Sequence, residues 1–372
     1  MSTAIAGWRR PWLVLGGAHV DRDRPDLDGL RRQGDPEAFL WQILPHAART
    51  FSACIALLPP RLARAAAVGN LYCRILDTYE DQHPDAVSRE SALRAFAARF
   101  DADSLAVAPT IPDAIHQDPR DATHLLLVNR CDMVDRVYLT LDDRQQQAVR
   151  DVVSAMAQGM CWSSRVFEEQ GGVLADEAQL LRYCRNVIGH PVVFTLRLLR
   201  DGDLSPELTE QAMIVGEMVQ LANITRDIEK DLQRGVAYHP DLRPLLNDPA
   251  PDAALIQRVR LGFLRLALAR VPAYPRIVEA IDFDRISMTR ASALLMLLFT
   301  DRHYRNCARH VELSPWAGAD TWPALLRQTL PAVFSSGYTH KVLARVERNF
   351  LAALHRSDTE HLPLSEPGET LP

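Results

Sequence analysis

The 372-residue chain is nearly without lysine: of its 42 basic residues, only Lys230 and Lys341 are not arginine. Long apolar runs are missing too. The longest uncharged ones, such as Ala291 to Phe299, fall well short of the roughly 20 residues that cross a bilayer, which excludes a membrane-spanning protein. There is no basic excess: the net charge is −5, which argues against a nucleic-acid binder. The six cysteines form no Cys-x-x-Cys pair and no Cys/His cluster at zinc spacing, so a zinc module is excluded and a reducing, cytoplasmic setting is expected. Alternating strand-like runs are nearly absent, and neither a short repeat nor a glycine-rich dinucleotide loop is present. Arg9-Arg10 followed by Trp12-Leu13-Val14-Leu15 has too short an apolar run for a secretory signal.

What remains is helical periodicity over almost the whole length. Asp35-Pro36-Glu37 reads as an N-cap with proline at the first helical position. Pro59-Pro60 starts a helix over 61–81, which His83-Pro84 closes. Further helices are expected over 88–100, 121–138, 142–169, 176–200, 206–233, 253–270, 286–310 and 323–355, with a loop from His239 to Asp252. No clean linker divides them. The expected organisation is an N-terminal extension over 1–34, one all-α domain over 35–356 and a disordered tail over 357–372, rich in proline and acid.

Two clusters carry the chemistry. Asp77, Glu80 and Asp81 share one face at the C-terminal end of the 61–81 helix, with Arg74 one turn before them. Like charges at this spacing cost a few tenths of a kcal/mol per pair, and the helix dipole disfavours acids at that end. A solvated helix end and a cation site both remain open for this cluster alone. Gln220, Asn223, Asp227 and Asp231 follow at spacings of three and four on another helix, flanked by Arg226 and Lys230. Two such helices facing each other across a bundle suit magnesium, which binds one or two carboxylates together with substrate phosphates and water. Arg49, Arg74 and Arg226 supply phosphate contacts. Apolar helices between them would shelter a long hydrocarbon and a carbocation from water. These parts together point to ionisation of an allylic diphosphate.

The same stretches resemble the squalene and phytoene synthase family. Ala48-Arg49-Thr50-Phe51-Ser52 is similar to its Ser-Arg-Ser/Thr-Phe segment, and 71–81, ending Asp77-Thr78-Tyr79-Glu80-Asp81, resembles its first aspartate-rich motif in the squalene synthase form. Tyr183-Cys184-Arg185-Asn186-Val187-Ile188-Gly189 resembles a third segment. Gln220 to Asp231, followed by Arg234-Gly235-x-x-Tyr238-x-Pro240, resembles the second aspartate-rich motif and its sequel. The likeness spans roughly 36–310, with the segments in order.

The resemblance implies an all-α, single-domain helical bundle of the isoprenoid synthase type. It also implies head-to-head joining of two polyprenyl diphosphates through a cyclopropyl intermediate, most simply of farnesyl diphosphate to squalene or a related C30 product. Asp77, Glu80, Asp81, Asn223, Asp227 and Asp231 would hold Mg2+. Arg49, Arg74, Tyr72, Gln220, Asn223, Arg226 and Lys230 would contact substrate, and Tyr183, Arg74 and Arg226 would act in catalysis. A phytoene synthase using the C20 diphosphate, a terpene cyclase, and a non-catalytic scaffold are the alternatives.

The chain departs from the family at Lys230, which replaces a carboxylate of Asp-x-x-Glu-Asp, and Glu229 lies about 100° around the helix from that position. Asn70 stands where tyrosine is frequent. The segment from Ile286 to Phe299 lacks the eukaryotic pattern, so NADPH use is left open. The expected partners are the diphosphate substrate and, because the product is oily, a membrane touched peripherally. No nucleic acid is expected, and the chain is expected to be a monomer.

Overall fold

The computed structural model describes residues 25–359 apart from 49, 84, 102–104, 112–118 and 311–321. Residues 1–24 of the expected extension, 360–372 of the expected tail, and Arg49 lie outside the described residues. Within them the fold is all-α: no strand forms, and a single bridge joins Val173 to Ala237.

The chain runs through α1 (Leu27–Arg32), α2 (Pro36–Ala48), α3 (Thr50–Leu57), α4 (Pro60–Gln82), α5 (Ala86–Ala98), α6 (Pro119–Asn129), α7 (Cys131–Tyr138) and α8 (Asp143–Glu169). It continues with α9 (Glu177–Cys184), a π-helical turn (Arg185–Gly189), α10 (His190–Arg200), α11 (Pro206–Gln233) and a 3-10 turn (Pro240–Leu245). Last come α12 (Ala253–Leu268), α13 (Ala273–Glu279), α14 (Met288–His310), α15 (Trp322–Phe334) and α16 (Ser336–Thr359).

The two helices that matter most are set by local chemistry. Pro60 opens α4 at a position that needs no N–H donor, and His83, just before Pro84, adopts the extended conformation that ends it. Ser205 caps α11, its hydroxyl accepting from the Leu208 N–H at 3.2 Å, with Pro206 at the first turn. Gly235 ends α11 with φ +76°. The Val236 N–H then bonds the Asp231 carbonyl and the Gly235 N–H bonds that of Leu232, a Schellman pair. Gly172, also at positive φ, lies so near that a Cβ there would sit 2.1 Å from the Gly235 carbonyl oxygen. Only glycine permits that approach.

Three expected helices are broken, each for a visible reason. The 121–138 helix divides at Arg130, whose guanidinium reaches back to the carbonyls of Leu30, Arg31 and Gln33 at the end of α1. That clamp packs α1 onto the domain, so ordered structure begins before residue 35. The 323–355 helix divides at Ser335, whose hydroxyl caps α16 by accepting from Tyr338 N–H. The 176–200 helix contains the π turn. There Gly189 meets Gly216 of α11 so closely that a Cβ on Gly216 would lie 2.3 Å from the Gly189 Cα. The extra residue of the turn presses the two backbones together beside Tyr183.

Two apolar cores result. One surrounds α11, α12 and α14; the other surrounds α4, α7 and α8. The face of α4 between them carries the first acidic cluster.

Candidate active site

Ala66, Asn70, Cys73, Arg74 and Asp77 form a stripe along α4 and line one wall of a cavity, with Glu80 and Asp81 continuing the stripe beyond its end. The cavity encloses about 1270 Å³ between the atoms, part of it open to solvent. Its other walls are apolar: Phe51, Ile55 and Leu58 from α3 and its end, Val192 and Phe194 from α10, and Ile277 and Val278 from α13. Gly69, two turns before Asp77, is held by the ring of Phe194, 2.4 Å from where a Cβ would stand.

The acids on α4 are poorly compensated. Arg74 pairs with Asp77 at 3.1 Å while its Nε donates to the Ala47 carbonyl. Burial nevertheless lifts Asp77 to about 6, with the Arg74 charge opposing. Burial lifts Glu80 to about 8, although the Ser163 hydroxyl on α8 donates to its Oε1 at 2.7 Å. Asp81 still reaches solvent, yet desolvation by the surrounding protein raises it too, while Arg234, Arg74 and Lys230 pull it back.

The second cluster faces this one. Burial lifts Asp231 to about 7, the negative charges of Asp227 and Asp81 adding to the rise. Asp81 on α4 and Asp231 on α11 therefore feel each other's charge, and Lys230, exposed on α11, acts weakly on Asp81. The lysine that breaks the family pattern thus sits exposed on the second acidic helix, within electrostatic range of the first. Glu229 does point elsewhere, as its position around the helix predicts: both its carboxylate oxygens accept from Arg260 at 2.6 Å. Asp227 is held by its neighbour Arg226 through two bonds of 2.8 and 2.5 Å. Asn223 donates to Gln220, which is buried.

Tyr183 is 8% exposed and lies 5.3 Å, centroid to centroid, from Tyr238. Tyr238 couples Tyr183 to the acidic cluster: its ring packs on that of Tyr183, and its hydroxyl partly offsets the rise at Asp231. Burial holds both tyrosines well above their ordinary value, and the charges of Glu80 and Asp81 add to this. Tyr238 comes back to Asp231 because the Schellman turn at Gly235 reverses the chain.

One expected site residue is elsewhere. Tyr72 is fully buried in the second core, its hydroxyl donating to Asp135 at 2.7 Å and its ring packed edge-on against Phe96, Phe100 and Tyr138. It lies next to Cys73 in sequence, but the helix turns it away from the cavity. Two contributors, Ser163 and Tyr238, were not among the expected site residues. Tyr238 stands in a segment that the sequence singles out. Ser163 gives no sequence signal, because its partner lies 83 residues away.

Among the described residues, no three His, Cys, Asp or Glu side chains gather to hold a metal ion by themselves. The donor set fits magnesium, which is content with one or two carboxylates when phosphate and water fill its other positions. Several acids lifted by burial and by one another, despite the arginines beside them, also match a place where a cation arrives with its substrate.

Comparison with known proteins agrees with this geometry. The family model described as squalene/phytoene synthase matches residues 44–242. A squalene synthase of Candida albicans is 26% identical over 207 residues, covering 54% of this chain and 44% of that protein. A squalene synthase of Botryococcus braunii is 25% identical, covering 55% of this chain and 42% of that protein. The matches thus take in rather less than half the length of these relatives. A ligand complex of TcSQS superposes with a TM-score of 0.66 at 17% identity, covering 89% of this chain and 94% of that one, which shows a shared fold. With the matched region holding both acidic helices and Tyr183, the chain belongs to the squalene/phytoene synthase family.

Proposed function

We propose that the protein joins two polyprenyl diphosphates head to head, with loss of diphosphate, through a cyclopropyl intermediate to a C30 isoprenoid. The observation that carries this reading is the meeting of two acidic helices at the polar end of an apolar cavity. The names of the relatives, squalene synthases, favour farnesyl diphosphate as substrate.

Asp77, Glu80, Asp81, Asn223, Asp227 and Asp231 would hold magnesium and the diphosphate it accompanies. When bound, magnesium would neutralise the charge that builds on the departing diphosphate. Arg74 and Arg226, each now spent on a neighbouring aspartate, would turn their guanidinium forks to phosphate oxygens. Arg49 is proposed for the same role on the strength of the family motif. Lys230, exposed on α11, would offer phosphate a point charge rather than a fork.

The apolar walls exclude water, so the allylic cation formed when the C–O bond breaks meets the double bond of the second substrate rather than a hydroxyl. A carbon–carbon bond forms, a C–H bond breaks as the cyclopropane closes, and the proton leaves. Tyr183 is too firmly neutral to be the base itself. Its hydroxyl orients the groups around that C–H, and the released diphosphate is the acceptor of the proton.

Incubation of the purified protein with Mg2+ and farnesyl or geranylgeranyl diphosphate, with and without NADPH, tests the reading by product analysis. A C30 product from the C15 substrate supports it. A C40 product identifies a phytoene-type enzyme, squalene only with NADPH establishes the reductive step, and release of no diphosphate from either substrate overturns it.

A further inference from the structure

Among the described residues, large hydrophobic side chains stand out into solvent at seven places, and four of these fall together. Ile286, Met288, Leu330 and Phe334 are 65%, 40%, 59% and 70% exposed. The backbone places them side by side. Ser287, between Ile286 and Met288, donates its N–H to the carbonyl of Val333 at 2.9 Å. The buried guanidinium of Arg290 ties the same two segments, bonding the carbonyls of Ala332 and Val333 on one side and of Asp284 and Arg285 on the other. Leu330 and Phe334 are one helical turn apart on α15 and share a face. The other three exposed hydrophobics, Val87, Val107 and Leu139, lie in other parts of the chain.

Clustered exposed hydrophobics on a soluble fold mark an interaction surface, whereas scattered ones need no explanation. Two further observations select the partner. The first is position. Val278 and Ile281 line the substrate cavity and also line the surface groove that contains Phe334. The cavity lining also includes Thr289, next to Met288. The patch therefore adjoins the largely apolar wall that Val278, Ile281 and Thr289 give the cavity.

The second is charge. The helical pair α15–α16, from Trp322 to Thr359, contains five arginines and lysines against two acids, in a chain whose net charge is −5. Arg327, Lys341, Arg345 and Arg348 on it are exposed. Acids do border the patch on one side, at Glu279, Asp282 and Asp284. Arg327, three residues before Leu330 and seven before Phe334, shares their face of α15.

We infer that Ile286, Met288, Leu330 and Phe334, with the basic face of α15–α16, form a docking surface for an anionic lipid bilayer. The apolar side chains enter the interface while arginine and lysine meet the headgroups. That apolar wall of the cavity then lies toward the phase in which such a product dissolves. The choice of a bilayer rests on the proposed isoprenoid chemistry; the existence of the patch does not.

Flotation with vesicles of phosphatidylcholine alone and of phosphatidylcholine with about one-third phosphatidylglycerol tests this on the full chain, without requiring turnover. The protein is expected to float with the anionic vesicles. The double variant Leu330→Gln/Phe334→Gln is expected to lower the partition coefficient at least about tenfold. Arg327→Gln/Lys341→Gln is expected to weaken binding to the anionic vesicles and leave the neutral ones unaffected. Both changes are at exposed positions, so circular dichroism and diphosphate release in detergent should match the wild type. Equal flotation of wild type and the apolar double variant overturns the proposal. So does an absence of vesicle binding, including the case where sedimentation reveals a dimer that the double variant dissolves. Failure of the proposed reaction would appear separately, as absent diphosphate release in detergent.

Discussion

Replacing Ser163 with alanine probes the acidic cluster from behind. Ser163 is fully buried, its Oγ 2.7 Å from Glu80 Oε1 and 3.0 Å from the Met160 carbonyl oxygen. A hydroxyl has one hydrogen to give. When Glu80 is ionised it takes that hydrogen; when Glu80 is protonated it donates to Oγ instead, and the hydroxyl turns to Met160. The charged bond is worth about 1.5–3 kcal/mol and the neutral one about 0.5–1.5 kcal/mol. Ser163→Ala therefore removes about 1 kcal/mol more from the ionised form. Glu80, already at about 8, moves up by somewhat under one unit, at 1.36 kcal/mol per unit.

A carboxylate must shed its proton to bind a metal. At pH 7 the variant should bind Mg2+ with inorganic diphosphate about fivefold more weakly in a calorimetric titration. The deficit should close by about pH 9.5, where Glu80 is ionised in both proteins. Equal affinities at every pH would refute the reasoning. A deficit that persists unchanged at high pH would also refute it, since it would reveal damage to geometry rather than a linked proton.

Other perturbations test neighbouring parts of the account. Asp231 and Glu80 titrate near 7 and 8 when folded but near 4 when unfolded, so across this range the folded chain holds the extra protons. Their stabilisation is full below about pH 4 and is lost as pH rises through 7 and 8. His83 and His190, lowered by burial, act oppositely, but only below about pH 7. The melting temperature of the metal-free protein should therefore fall between pH 7 and 8.5 and recover on adding Mg2+ with diphosphate; a rise over that window contradicts the assignment. Tyr72→Phe should cost about 1–2 kcal/mol in denaturant unfolding by stripping a donor from Asp135, while kcat and KM stay within about twofold, because Tyr72 lies outside the cavity. Gly216→Ala should cost about 3 kcal/mol, since its Cβ meets the Gly189 backbone, and should depress activity by shifting the π turn beside Tyr183.

The fold was largely legible in the sequence because its signals are local. Pro60, Ser205 and Gly235 mark the ends of the two principal helices, and periodicity of three and four marks their faces. The breaks at Arg130 and the π turn were not legible, because each depends on a partner distant in sequence: the end of α1 for Arg130, and Gly216 for Gly189. The break at Ser335 rests on a local cap to Tyr338 that the periodicity of 323–355 masks. Of the site, Asp77, Glu80, Asp81, Asp227 and Asp231 were readable as two stripes, and their juxtaposition was the natural use for them. Tyr72 misled because a neighbour in sequence stands about 100° around the helix, here far enough to leave the cavity face. Ser163 was silent, since a lone serine in a long amphipathic helix carries no mark of the glutamate it will meet.

The central claim is that the two acidic helices act together on one metal-bound diphosphate. Diphosphate release from farnesyl diphosphate, measured with and without Mg2+ for the wild type, Asp77→Ala and Asp227→Ala, tests it most directly. The account predicts Mg2+-dependent release by the wild type and none by either variant, with the helical circular-dichroism signal intact in all three. Release that continues in either variant at the wild-type rate would contradict it.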